Sequence, residues 1–372
     1  MHKVFIRGIS KTMLRVLNVI FIVCVFLIIQ NTESADSVRP DTREITKENQ
    51  SVLNVFTWVD YIEPEIFSDF EKEFRVKVNV EFYDDENVMF SAIQSEPGRF
   101  DITFPSDSMT DWMIEALLLS KLDVSHIPNI ENLDGKFRNL INKRWKKYCA
   151  SIDWGVTGIA YNSKYVKESV DSWGIFWSTK YKGRMALVND SYEVMSVGQK
   201  RLNYPLNPTD LRELDEALKI LKELKPLLHG EGFLPYDRIK EWLLNESLWI
   251  AQCYNGDAAL INEENNNIKF VIPKEGTAYW LDNIAIPVGA KNKQMAEKFI
   301  NFMLRPDIGA RQANYSYYAS CNKKTRRLVK KELLNNPYIY MRKNTLNKLE
   351  TYGDVSSEIR NRYNKCWNEL LD

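Results

Sequence analysis

The sequence predicts an α/β protein of two lobes with a ligand cleft between them. Three observations carry this. Apolar runs of strand length alternate with helix-period segments through two successive stretches of the chain. At 372 residues the chain is long enough for two or three domains. Aromatic and acidic residues gather just beyond several strands, where open α/β sheets bind ligands.

The first stretch opens with Leu53–Trp58 as a short strand. Ile62, Ile66, Phe67, Phe70 and Phe74 then recur on one helical face, with Pro64 tolerated in the first turn. Val76, Val78, Val80 and Phe82 alternate as in a half-buried strand. Glu86–Ser95 reads as a helix, Phe100–Phe104 as a strand and Asp111–Leu122 as a helix. This order implies a largely parallel sheet. The second stretch has strands at Thr157–Tyr161 and Arg184–Val188. A helix opens at Asn207-Pro208-Thr209-Asp210 and carries a stripe of Leu211, Leu214, Leu218, Leu221 and Leu224. Leu248–Cys253 and Ile268–Ile272 are strand segments. Gln294–Leu304 is a helix stopped by Arg305-Pro306, and Val355–Leu371 closes the chain as a helix.

The N-terminus precedes this pattern. Lys3, Arg7, Lys11 and Arg15 stand before the apolar run Val16–Ile29, broken only by Asn18. Fourteen residues fall short of the ~20 of a membrane span and suit a secretory signal. Thr32 and Ser34 place small residues for a cut after Ser34, giving residues 1–34 as signal or, if uncut, as an N-terminal anchor. Residues 35–50 are polar and aperiodic, a tether. Removing four bases and one acid from 50 of each leaves 46 and 49, a net charge of −3. That balance argues against nucleic acid and mildly favours cationic ligands.

Several chemistries lack support. There is no GxSxG, GxxxxGK[ST] or post-strand GxGxxG. Beyond residue 34 only His126 and His229 remain. His126 reads as a surface residue and His229 as a helix C-cap, so neither metal ligation nor a histidine-based nucleophile is indicated. Cys149, Cys253, Cys321 and Cys366 are widely spaced and read as buried thiols. No cofactor is expected.

Five strand ends do carry chemistry. Trp58, Asp60 and Tyr61 follow the first strand, and Ser106 follows the Phe100–Phe104 strand. Asp190 and Glu193 follow Val188, Tyr254 follows Cys253, and Trp280 and Asp282 flank Leu281. Rings attract cations and pack on methylene chains, while carboxylates pair with ammonium groups. A linear polyamine offers both parts. The plain alternative for each ring is core and for each acid a helix cap.

At these residues the chain resembles the spermidine/putrescine-binding periplasmic proteins of ABC importers, over roughly residues 52–330. The resemblance rests on NVFTWVDYIEP (Asn54–Pro64), FDITFPS (Phe100–Ser106), WGVTGIAYN (Trp154–Asn162) and Ser172-Trp173 with Trp177 and Tyr181–Gly183. It is most specific in WLDNIAIP (Trp280–Pro287), followed by Ala290–Lys293 and Asn301–Pro306. It implies a type II periplasmic-binding-protein fold. Residues 51–154 plus 282–325 would form lobe 1 and residues 155–281 plus 326–372 lobe 2. It implies that Trp58 and Trp280 wall the methylene chain and that Tyr61 contacts an amine. Asp190 and Glu193 would hold one ammonium and Asp282 another. Ser106, Tyr254 and Tyr318 would line the cleft, with Asp60 and Ser108 completing the set. It further implies a monomer outside the cytoplasmic membrane that delivers its ligand to a permease and performs no catalysis. Val59 and Ser108 depart from the family's usual hydroxyl and aromatic. The C-terminal glutamine of some members has no match around Thr351–Asp354. Two other readings stay open: a ferric-ion site using Tyr315, Tyr317 and Tyr318, and an exported hydrolase using Asp190 and Glu193.

Overall fold

The computed structural model describes residues 51–372, apart from 136–144, 231, 342–348 and 354. The expected export segment and tether lie outside the described residues.

Val52–Trp58 (β1) pairs in parallel with Lys77–Tyr83 (β2) and Ile102–Thr103 (β3). Cys149–Asn162 (β4) is a single fourteen-residue strand. Met185–Val188 (β5) pairs in parallel with Phe233–Leu234 (β6) and Ile250–Tyr254 (β7). Ile268–Val271 (β8), Thr277–Ala285 (β9), Ala319–Ser320 (β10) and Leu349–Glu350 (β11) complete the strands described. The order is β2-β1-β3-β9-β4-β7-β5-β6, with β8 and β10 on β4 and β11 on β9. Two parallel ends are thus joined by an antiparallel centre of β9 and β4. This corrects the expected largely parallel sheet. The central strands are single crossing segments rather than members of strand–helix–strand units, so nothing forces them parallel.

β4 changes partners along its length. Cys149–Val156 pairs with β9, and Thr157–Tyr161 pairs with β7. The first half of the ladder slips by one residue between Ser151 and Asp153, a bulge at Ile152.

The helices begin with Pro64–Phe74 (α1), whose Ile66 and Phe70 are buried. Glu86–Ser95 (α2) is capped by Asp85, whose carboxylate accepts from the Asn87 N–H at 2.7 Å. Asp107–Glu115 (α3) starts four residues before the expected helix. Ser106 caps it, accepting from the Met109 N–H at 3.3 Å, and Leu117 at φ 58° stands where the expected helix would have continued. Ser191–Arg201 (α4) follows β5.

Leu211–Leu224 (α5) buries Leu214, Leu218, Leu221 and Leu224 as the stripe predicts. Its cap is Asp210, which accepts from the Arg212 N–H at 2.9 Å, so Pro208 lies before the helix. Asn207 instead ties the chain to Thr351 and Gly353. Tyr236–Leu244 (α6) and Asn255–Glu264 (α7) flank β7. His229 is not a cap. It lies past a short 3-10 turn, and its ring packs edge-on against Trp242 at 4.5 Å.

Lys293–Met303 (α8) ends where expected, but Pro306 opens a further helix, Pro306–Ser316 (α9). Proline lacks only a donor that a first turn leaves unpaired anyway. Lys331–Leu334 (α10) is short. Ser357–Leu371 (α11) buries Ile359, Tyr363, Cys366 and Leu370 in a core shared with Val194, Leu214 and Leu218. All four cysteines in the described residues are buried thiols and none is bridged to another, as the sequence reading expects. No described helix is long and apolar enough to cross a membrane.

Candidate functional site

The site is organised around β9, all nine of whose residues are buried. Trp280 and Asp282 lie two apart and so share one face of the strand. Gly155 of β4 stands opposite Trp280. A Cβ there would come within 2.3 Å of the Trp280 ring, so glycine alone lets the indole lie across the neighbouring strand. Tyr254 meets the indole edge-on at 5.7 Å and Tyr318 at 4.8 Å. Gly256 makes the same room for Tyr318, whose ring would be 2.5 Å from an added Cβ. Trp280 Nε1 is buried without a hydrogen-bond partner.

Asp282 faces Asp153 across the ladder. The bulge makes this pairing, since without it Ile152 would stand opposite Asp282. Tyr61 Oη donates to Asp153 Oδ2 at 3.3 Å and lies beside Asp282. Gln312 Nε2 donates to the same Oδ2 at 3.3 Å and to the Tyr61 carbonyl at 2.9 Å. Burial pushes both carboxyls well above the usual range, and repulsion from Asp282 adds to the shift at Asp153.

On the other side of Asp282, an isolated backbone bridge sets Ser106 opposite it. The Ser106 N–H and Oγ donate to Glu86 Oε1 and Oε2 at 2.6 and 2.7 Å, and Ser108 Oγ lies 3.1 Å from Ser106 Oγ. Glu86 is half-buried. Desolvation, with repulsion from Asp190 and Asp282, pushes it up to about 8 despite those two donors. Asp107 is also raised by burial, and its Oδ2 has no partner.

The last pair stands at the start of α4. Asp190 caps the helix, accepting from the Glu193 N–H at 2.9 Å. Glu193 is buried and accepts from Gln252 Nε2 at 3.3 Å. Burial, then Asp190, pushes Glu193 up to about 8. Tyr352 is buried beside it. Trp58 is half-buried at the rim. Its Nε1 donates to the Phe104 carbonyl at 3.1 Å, and its ring tilts onto Tyr83 at 4.6 Å.

The structure therefore gathers Tyr61, Ser106, Ser108, Asp190, Glu193, Tyr254, Trp280, Asp282 and Tyr318, with Trp58 at the edge. Asp60 stands apart, exposed at φ 53° and near Tyr315. Sequence reasoning missed Glu86, Asp107, Asp153, Gln312 and Tyr352. Asp85-Glu86 after a strand was a visible signal of the strand-end kind. Asp153 was not, because the bulge is invisible in the sequence.

None of these carboxylates is ion-paired with Lys or Arg among the described residues. Arg360 is engaged by Glu115 and Lys200 by Glu350. Buried carboxylates without counter-ions favour a cationic occupant. No group of three or more His, Cys, Asp or Glu among the described residues is disposed to hold a metal. The three tyrosines of the ferric reading diverge. Tyr317 Oη donates to Glu263 at 2.8 Å, Tyr318 packs on Trp280 and Tyr315 is exposed.

A two-lobe α/β scaffold, with residues at strand ends and on the central crossing strands converging on one buried site, is the architecture of a solute-binding protein. The chain belongs to the bacterial extracellular solute-binding proteins, whose family model matches residues 65–337. It is 31% identical to the spermidine/putrescine-binding periplasmic protein of Escherichia coli K12, over 83% of this chain and 89% of that one. It is 29% identical to the putrescine-binding periplasmic protein PotF of the same organism, over 86% and 91%. The crystal structure of the spermidine/putrescine ABC transporter substrate-binding protein PotD from Streptococcus pneumoniae, in complex with calcium and HEPES, is 29% identical. It superposes with a TM-score of 0.74, covering 87% of this chain and all of that one.

Proposed function

We propose that the protein captures a linear polyamine between its two lobes and hands it to the permease of an ABC importer. The observation that carries this is the row of buried, unpaired carboxylates set beside the Trp280, Tyr254 and Tyr318 rings. A polyamine alternates ammonium centres, which need those carboxylates, with methylene segments, which pack on those rings. The names of the relatives support the same ligand class. Trp58, Tyr61, Ser106, Ser108, Tyr254 and Tyr318 line the path in this reading, while Asp190, Glu193 and Asp282 bind ammonium groups.

β4 and β9 are the crossing strands of the proposed hinge, and their flexing brings the lobes together. The ligand stabilises the closed state because it touches both lobes at once. The protein works as a monomer outside the cytoplasmic membrane and catalyses nothing. Calorimetric titration tests the reading, using protein unfolded and refolded to strip copurified amine. One-to-one binding of putrescine or spermidine at micromolar Kd or tighter is expected, with a Kd of about 1 μM corresponding to about −8 kcal/mol. No heat and no thermal shift with either amine would overturn it.

A further inference from the structure

We propose that Asp153 and Glu86 are specificity-determining carboxylates, and that the site is built for a linear amine with three or more ammonium groups in preference to a diamine. This rests on the polyamine reading and deepens it.

The argument is geometric. Asp153 on β4 faces Asp282 on β9, and Asp282 faces Ser106 at the end of β3. Residues directly opposite in a ladder project to one face, about 5 Å apart at each step. Ser106 holds Glu86 by both its N–H and its Oγ. Asp153, Asp282 and Glu86 are therefore successive neighbours across three adjoining segments. The succession continues, because Glu86 feels the charge of Asp190 and Asp190 caps the helix that carries Glu193. Five carboxylates are thus linked in succession, each neighbour to the next.

A sixth carboxyl beside these five is also short of partners. Asp107 is only 1% exposed, its Oδ2 makes no hydrogen bond, and its carboxyl is within electrostatic reach of Asp282 and Glu86. Both donors to Asp153, Tyr61 and Gln312, go to its Oδ2. The remaining oxygen is free to take an ammonium.

A diamine brings two positive charges and answers two of these carboxylates. The remaining carboxyls would keep their protons and give the ligand no charge-assisted hydrogen bond. A triamine or tetramine has the charges to answer more of them.

The experiment is titration of the stripped wild-type protein and of the Asp153→Asn and Glu86→Gln variants with putrescine, spermidine and spermine. Wild type is expected to bind spermidine or spermine at least about tenfold tighter than putrescine. Each variant is expected to lose about tenfold or more for the longer amine, and under about threefold for putrescine. Both substitutions keep side-chain shape. Should one lower stability, the ratio of the two affinities remains the readout, because loosening of the fold weakens both ligands alike. Putrescine binding as tightly as spermidine and spermine, or equal losses for all three ligands, would overturn the proposal. Absence of binding to all three amines would instead overturn the polyamine reading on which it stands.

Discussion

Asp282 and Glu193 each occupy a place where removing charge has a larger effect than removing a contact. Each is buried, and neither forms an ion pair with Lys or Arg among the described residues. In the proposed complex, Asp282→Asn or Glu193→Gln would leave an ammonium facing a neutral amide inside the protein. Losing one partner of such a pair costs about 2–5 kcal/mol, so affinity should fall by more than tenfold. Thermal unfolding of the unliganded variants should stay at or above wild type, because a raised acid is already disfavoured as the ion. Titration and melting curves on the same samples check both halves. Legibility in the sequence followed chemistry at this scale. Asp190 and Glu193 are visible because acids directly after a strand announce themselves, whereas Trp280 and Asp282, expected at a strand end, stand inside β9 and are legible by residue type alone. Gly155 and Gly256 are opaque, since the reason for each is a ring brought from elsewhere in the chain. Asp60 shows the converse. It has the right residue type at the right strand end, but the left-handed turn leaves it at the surface.

Among the elements, those with a strong period were readable to within a few residues. α1, α5 and α8 each bury the face that their apolar spacing marks. Boundaries set by a cap rather than by a period were less so. α3 begins at Ser106 because a hydroxyl is there to receive an N–H, although its apolar pattern becomes clear only later. α9 was hidden by its own proline, which reads equally as the end of α8 and the start of a new helix. α11 makes a testable contact at this scale. Tyr363 Oη lies 2.8 Å from Gln199 Oε1 and 2.8 Å from the Leu206 carbonyl, fixing the last helix to α4 and the loop after it. Its single proton serves one acceptor at a time. Tyr363→Phe leaves one buried acceptor without its donor and should cost about 1–3 kcal/mol, read as a lower midpoint in urea with an unchanged slope.

For the molecule as a whole, the accumulation of raised acids sets the pH behaviour. Glu86 and Glu193 stand at about 8, and Asp257 at about 7 through burial. Their unfolded values are the ordinary ones near 4. Between those limits the folded protein holds protons that the unfolded chain has released. Protonation therefore stabilises the ligand-free fold most at low pH, and the contribution is lost as pH rises through about 8. Ligand affinity should run the other way, rising from pH 5.5 to pH 8 as the carboxylates become available to ammonium. The ligand-free melting temperature should fall from pH 5.5 to pH 8, while the upward shift produced by spermidine should grow. Calorimetry in buffers of different ionisation enthalpy should register protons released on binding. The sheet carries a consequence of another kind. β4 runs without a break from its partnership with β9 into its partnership with β7. A joint made of loops swings freely, like a pin through a hinge. A continuous hydrogen-bonded ribbon behaves as a leaf spring, with a resting curvature and a restoring force on either side of it. In the proposed hinge, closure of the lobes would bend this ribbon elastically, and reopening would need no separate moving part.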